Sequence, residues 1–334
     1  MLKTKETTPA KIVKPRALRK GDTVGIIAPS STLFQEGELE FTYQWLQKLG
    51  LKWKLGKHLF ERYSEYAGSD EARAEDLMNI WCDPEVDGVL PLRGGNGAPR
   101  LLPLIDFELL AKSPKMFVGY SDLTALLTTI HQRTGLVCFY GPMATSFYKT
   151  SYSHRYWTKA IMSNRPIGVI TDPLPAQIWK PAYPPPRMVI AEGHGRGRLI
   201  GGCLTLIKQL QGTPFEADMD GKIVFLEDVH EEPHQIDRML TQLLLGSNLK
   251  KAAGILVGEC AGCTPGESNR RRLSLNHSVE AVVRERLSNL GIPVVYGLRL
   301  GHGEDQFTLP LGVMATLEAR GTAVKFKIEE SAAH

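Results

Sequence analysis

An α/β fold in two domains follows from three features of the chain. Short apolar runs alternate with stretches of helical period, prolines crowd one central segment, and 334 residues exceed what a single ordinary core needs. In the first half, residues 23–28, 86–92, 115–118 and 136–140 read as strands, because each is a short apolar run bounded by glycine, proline or charge. Residues 36–49, 70–81 and 123–131 carry the helical pattern between them. Strand alternating with helix predicts a mostly parallel N-terminal sheet with helices on its faces. Ligands in such sheets bind beyond the carboxyl ends of the strands.

The division of the chain is read from composition. Residues 173–187 hold prolines at 173, 175, 181, 184, 185 and 186, which fit neither a helix interior nor a central strand, so this segment is expected to be an extended linker. It separates an N-terminal domain, 21–172, from a C-terminal α/β domain of mixed strands, 188–334. In the second domain, strands are predicted at 198–200, 222–226, 254–258 and 293–296, and helices at 204–211, 233–245 and 278–290. Residues 306–328 alternate polar and apolar side chains, as an antiparallel pair would. Residues 1–20 are expected to form a flexible basic arm, since residues 3–20 hold seven Lys or Arg against the single Glu6.

Composition narrows the function classes. The apolar fraction of 43% and charged fraction of 23% are those of an ordinary globular chain. No run approaches the ~18 apolar residues that span a bilayer, so no membrane partner is expected. The net charge of +4 includes the basic arm, which has no interleaved aromatic residue, and no nucleic-acid partner is expected. Five scattered cysteines, at 82, 138, 203, 260 and 263, form no disulfide framework and fit a reducing cytoplasm. Cys260 and Cys263 have C-x-x-C spacing, but no second pair completes a zinc site.

Chemistry concentrates at glycine-flanked turns. Met116-Phe117-Val118-Gly119-Tyr120-Ser121-Asp122 ends an apolar strand at a sharp corner before a helix. A serine there caps the helix or, with a base beside it, attacks a carbonyl whose oxyanion the helix N-terminus can hold. The closing glycine of a G-x-S-x-G elbow is absent, so the corner alone leaves both readings open. Arg93-Gly94-Gly95-Asn96-Gly97 forms a second turn, after another apolar run. Leu226-Glu227-Asp228 places an acid at a strand end, and Gly301-His302-Gly303 a histidine between glycines. A serine nucleophile needs a base, and the base needs an orienting acid. Ser121, His302 and Glu227 would supply those three roles.

Taken in order, Gly21-Asp22-Thr23-Val24-Gly25, Arg93-Gly94-Gly95, Gly119-Tyr120-Ser121-Asp122, Gly141-Pro142, Gly201-Gly202, Leu226-Glu227-Asp228, Gly301-His302-Gly303 and Leu309-Pro310-Leu311-Gly312 resemble the LD-carboxypeptidase family of serine peptidases, which includes muramoyltetrapeptide carboxypeptidases and microcin-C immunity peptidases. The resemblance covers nearly the whole chain. It implies a triad of Ser121 as nucleophile, His302 as base and Glu227 as orienting acid, set in an interdomain cleft. It also implies an oxyanion hole from the backbone N–H groups of Asp122 and Gly95, no cofactor, a homodimer, and a murein peptide substrate losing its terminal D-alanine. Gly94, Asn96, Tyr120 and Arg93 become candidate substrate-binding residues. The chain departs from the family pattern at Asn96, where tyrosine is usual, and at Cys203, where asparagine is usual.

Three other readings compete. The same triad could act on aminoacyl or peptidyl nucleotides of the microcin-C type, for which Trp179 and Tyr183 are the aromatic residues to consider. His230-Glu231-Glu232-Pro233-His234 matches the H-E-x-x-H zinc signature. Proline belongs in the first turn of a helix, so the helix should start at Pro233 and leave His230 in the loop. A catalytically silent binding protein with this fold is the third alternative. Ser30, in the first strand-to-helix turn, reads as a helix N-cap or a substrate contact.

Overall fold

Buried apolar strands of two to five residues build the first sheet, with the exposed strand Lys52–Leu55 at one edge. A computed structural model describes residues 11–33, 35–146, 150–173, 187–266 and 278–334. In chain order the first elements are β1 (Thr23–Ile27), α1 (Glu40–Leu49), β2 (Lys52–Leu55), α2 (Asp70–Cys82), β3 (Gly88–Pro91), α3 (Phe107–Lys112), β4 (Met116–Gly119), α4 (Thr124–Thr134), β5 (Phe139–Tyr140), α5 (Ser151–Ile161) and β6 (Gly168–Val169). There follow β7 (Met188–Ala191), β8 (Gly193–Cys203), α6 (Leu204–Gln209), β9 (Ile223–Glu227), α7 (Pro233–Gly246), β10 (Gly254–Gly258), α8 (Val279–Leu287), β11 (Val294–Leu298), β12 (Leu309–Pro310), β13 (Met314–Arg320) and β14 (Ala323–Ile328).

Among the described residues these strands form two sheets. The first has the order β12-β5-β4-β3-β1-β2, with β1 to β5 parallel and β12 antiparallel on β5. The second runs β6-β14-β13-β8-β9-β10-β11-β7, parallel from β8 to β11 and antiparallel at both flanks. The mixed character expected of the second half is therefore present, and β13 and β14 are the antiparallel pair read from the alternating tail. Each sheet also takes a strand from beyond the expected division: β12 closes the first and β6 extends the second. Most of the proline segment, 174–186, lies outside the described residues.

The apolar faces of both sheets are sealed. Ile26, Ile27, Phe117, Phe139 and Tyr140 in the first, and Phe225, Ile255, Leu256 and Val294 in the second, are fully buried. Trp81 on α2 meets Phe117 edge-on, with ring centroids 5.5 Å apart, and spends its indole N–H on Ser113 O at 2.8 Å.

Residues 11–20 depart from the expected free arm. Val13 pairs with Leu136, and Ala17 and Leu18 are buried. Arg16 reaches Asp22 and Asp87 at 2.9 and 2.7 Å, and Lys14 reaches Glu330 at 2.9 Å. Each of these two basic residues thus has a carboxylate partner brought in by the fold, which a local charge count cannot reveal.

β8 holds glycines at 193, 195, 197, 201 and 202. Gly201 has φ +143°, and a Cβ there would collide with the carbonyl of Phe225 on β9. Gly201→Ala should therefore destabilise the protein by at least ~2 kcal/mol in denaturant unfolding, through backbone strain and overpacking together.

Candidate active site

The corner after β4 is built as the glycine and serine suggest. Tyr120 is extended, and Ser121 then turns into the left-handed region at φ +62°. A 3₁₀ turn over Ser121–Leu123 leads into α4. A non-glycine residue in this conformation costs roughly 1 kcal/mol or more, and it persists where neighbours fix it. Here the Ser121 N–H donates to the Tyr140 hydroxyl at 3.2 Å, and the Thr124 hydroxyl donates to Ser121 O at 2.6 Å. Thr124 Oγ1 in turn accepts the Cys203 N–H at 3.0 Å, tying the corner to the end of β8.

The glycine-rich turn lies directly against this serine. A Cβ on Gly94 would stand 2.8 Å from Ser121 Cβ, 3.0 Å from its Oγ and 3.4 Å from the Asp122 nitrogen. Only glycine leaves that space open. The turn is pinned through Asp122, a carboxylate only 2% exposed. Its Oδ2 accepts the Ser30 hydroxyl at 2.5 Å and the Ala98 N–H at 2.7 Å, and the Asn96 carbonyl lies within 3.1 Å of the same hydroxyl, sharing its one proton. Ser30 is fully buried and acts as an internal tie, while Gln35 caps the helix that follows. Burial pushes the Asp122 carboxyl up, against the opposing effect of its two donors.

Glu227 ends β9 with 1% exposure. Its Oε2 accepts His302 Nδ1–H at 2.8 Å and the His302 backbone N–H at 3.3 Å. Its Oε1 accepts the Tyr140 hydroxyl at 2.5 Å. The carboxylate fixes the proton of the imidazole on Nδ1 and leaves Nε2 as the basic nitrogen. The two glycines around His302 are each demanded by a carboxylate. A Cβ on Gly301, at φ +85°, would overlap Glu227, and one on Gly303 would fall 2.6 Å from Glu259 Oε2. Glu259 is itself paired with buried Arg299.

Ser121, Glu227 and His302 thus converge from two sheets. Among the described residues no hydrogen bond joins Ser121 Oγ to His302, and the two halves are linked through Tyr140. The candidate binding residues divide. Gly94 borders Ser121, whereas a Cβ on Gly95, at φ +117°, would meet Ser31. The Tyr120 ring packs edge-on to His302 at 5.0 Å. Arg93 lies 3.9 Å from Glu38. Asn96 Nδ2 donates to Glu65 at 2.8 Å and to the Tyr66 hydroxyl at 3.4 Å. Cys203 is buried, and its thiol faces Asp228 Oδ1 at 3.7 Å. Tyr140 was missed by sequence reasoning; only the register of β5 on β4, which pairs Tyr140 with Gly119, brings it to the corner.

The zinc-type motif is laid out as its proline dictates. α7 begins at Pro233, with Glu232 and Gln235 forming a reciprocal cap, and His230 lies in the preceding loop at φ +57°. Its ring sits against Gly262, and the turn Cys260–Cys263 is closed by the Cys263 N–H on Cys260 O at 3.1 Å. Both thiols are buried and free. Among the described residues no helix is long and apolar enough to cross a membrane.

Comparison with known proteins identifies the family of the chain. The family model for the LD-carboxypeptidase N-terminal domain matches residues 24–141, and that for the C-terminal domain matches 196–317. A probable murein peptide carboxypeptidase of Bacillus subtilis is 40% identical over 321 residues, covering 93% of each chain. The microcin C7 self-immunity protein MccF of Escherichia coli is 28% identical over 329 residues, covering 90% of this chain and 92% of its own. The crystal structure of a muramoyltetrapeptide carboxypeptidase from Oxalobacter formigenes superposes with a TM-score of 0.77 at 29% identity, over 92% of this chain and 99% of that one.

Asp122→Ala removes the acceptor shared by Ser30 and Ala98 and should cost ~2–3 kcal/mol in denaturant unfolding at pH 7, whereas Asp122→Asn keeps an acceptor oxygen and should cost less. Because burial raises this carboxyl, the folded protein binds its proton more readily than the unfolded chain. That contribution to stability is complete below the ordinary carboxylate range and is lost as pH rises through the raised folded value. Wild type should therefore gain stability relative to Asp122→Asn as pH falls from 7, measured as the difference between the two unfolding free energies.

Proposed function

The chain belongs to the LD-carboxypeptidase family of serine peptidases, and from that membership we propose that it hydrolyses the L,D-peptide bond that releases terminal D-alanine from a murein tetrapeptide. The observation that carries the reading is the buried Glu227–His302 pair, with Nε2 left basic, on the far side of Tyr140 from a serine held at a strained strand-to-helix corner.

In this reading Ser121 Oγ attacks the carbonyl carbon at the L-centre of the diamino acid and passes its proton to His302 Nε2. Glu227 holds the imidazole in the required tautomer and stabilises the imidazolium that forms. The developing oxyanion is received by the N–H groups of Asp122 and Gly95. Asp122 lies in the first helical turn, where N–H groups have no partner within the helix, and Gly95 follows the glycine that abuts Ser121. His302 then gives its proton to the departing amino group of D-alanine. Water, deprotonated by the same nitrogen, releases the acyl-enzyme. Ser121 and His302 come into hydrogen bond when substrate fills the corner, since catalytic bonds of this kind tighten in the bound complex. The reading extends to a homodimer acting in the cytoplasm.

A second reading rests on the match to MccF along nearly the whole chain. The same three residues would then act on an aminoacyl or peptidyl nucleotide.

D-Alanine release from purified murein tetrapeptide tests the first reading. Ser121→Ala should lower kcat by about 10⁴-fold or more, and a chelator should leave the rate unchanged. Release from aminoacyl nucleotide with none from tetrapeptide would replace the first reading with the second. Loss of activity to the chelator would overturn both.

A further inference from the structure

We propose that Tyr140 is a positioning residue for this chemistry, its hydroxyl setting the serine corner and the Glu227–His302 pair in register across the two sheets. The inference rests on the triad reading above and adds a residue to it.

The geometry is that of a relay with one direction. Tyr140 Oη accepts the Ser121 N–H at 3.2 Å and donates to Glu227 Oε1 at 2.5 Å. Glu227 receives His302 on its other oxygen at 2.8 Å. The hydroxyl has only one proton, so its orientation is settled by its partners: an N–H that can only donate and a carboxylate that can only accept. Burial, followed by the nearby charge of Glu227, pushes the Tyr140 phenol far above its ordinary value, so it keeps that proton throughout the working range. The other ionisable groups around it are Cys203, also pushed up by burial, and Tyr120, whose ring stands 6.3 Å away.

Two effects follow. The first is steric. The Ser121 N–H is engaged by Tyr140 and so turned away from an incoming carbonyl, leaving the oxyanion to the donors of Asp122 and Gly95. The second is electrostatic. A donor on Oε1 draws carboxylate charge away from Oε2, and so tempers how tightly Glu227 holds a protonated His302. The tyrosine ring sits fully buried against Phe225, with centroids 5.3 Å apart, so a phenylalanine fits the same space.

The test is Tyr140→Phe, read by the rate at which a fluorophosphonate labels Ser121 across the pH range, because that rate reports the activated serine without assuming a substrate. Labelling at neutral pH should fall about 10- to 100-fold. Its acid limb should move to higher pH, because a carboxylate without that donor holds the protonated ring more tightly. Phe225→Leu, which loosens the same packing but keeps the hydroxyl, should leave the acid limb in place. A wild-type rate and limb in Tyr140→Phe would overturn the proposal. So would slower labelling with an unmoved limb, which marks a packing role, and so would a wild-type protein that takes no label. Labelled wild type that releases no D-alanine would instead refute the murein substrate, with Tyr140 still judged by the labelling.

Discussion

A carboxylate taken out of water must find partners for both of its oxygens, and Glu227 finds one on each side of the junction between the sheets. His302 comes from the loop after β11, in the same half as Glu227. Tyr140 comes from the other half, from the strand beside β4, whose end at Gly119 leads into Ser121. The hydrogen bonds that satisfy the buried charge are therefore also the ones that hold the site together. Leaving such an acid half-satisfied costs more than either bond contributes, which gives both partners a strong reason to stay in place.

The strain at Ser121 belongs to the same arrangement. Its left-handed backbone exposes the hydroxyl beside Gly94, and Thr124, Tyr140 and Cys203 form the lattice of bonds that keeps the corner from relaxing. Asp122 acts on the opposite wall, where one carboxylate oxygen fastens the end of β1 and the exit of the glycine-rich turn. Two internal acids thus position the two faces that would meet a substrate. Each is buried at a strand end or a first helical turn, where backbone groups are available to the chemistry.

How much of this was legible follows from what each residue must satisfy. β10, at Gly254–Gly258, falls on the predicted run, because a fully buried parallel strand is apolar throughout. β2 was missed, since Lys52-Trp53-Lys54-Leu55 is an exposed edge strand and carries no buried pattern. β8 was foreseen only at 198–200. Its glycines at 195, 197 and 201 serve close approach to neighbouring backbone, and a glycine-rich stretch carries no apolar pattern to mark it as a strand. In the site, Ser121 stood out at a corner after Gly119 and His302 between two glycines, their roles coming from the family resemblance, and the structure accounts for Gly301 by the carboxylate beneath it. Tyr140 could not stand out. A tyrosine ending an apolar run reads as core, and its hydroxyl gains meaning only from the pairing of β5 with β4.

The antiparallel strand β12, at Leu309–Pro310, has a consequence for how the protein comes into being. It covers the outer side of β5, the strand that carries Tyr140, and Thr308 beside it packs against Gly141. During synthesis Ser121 emerges early, in a sheet whose β5 edge stays bare until residues 309–310 have been made. Glu227 and His302 arrive in that same interval, so closure of the sheet and completion of the site are nearly simultaneous. On the proposed roles, the growing chain carries its serine without a base, and hydrolytic competence would arrive as a single late event rather than accumulate domain by domain.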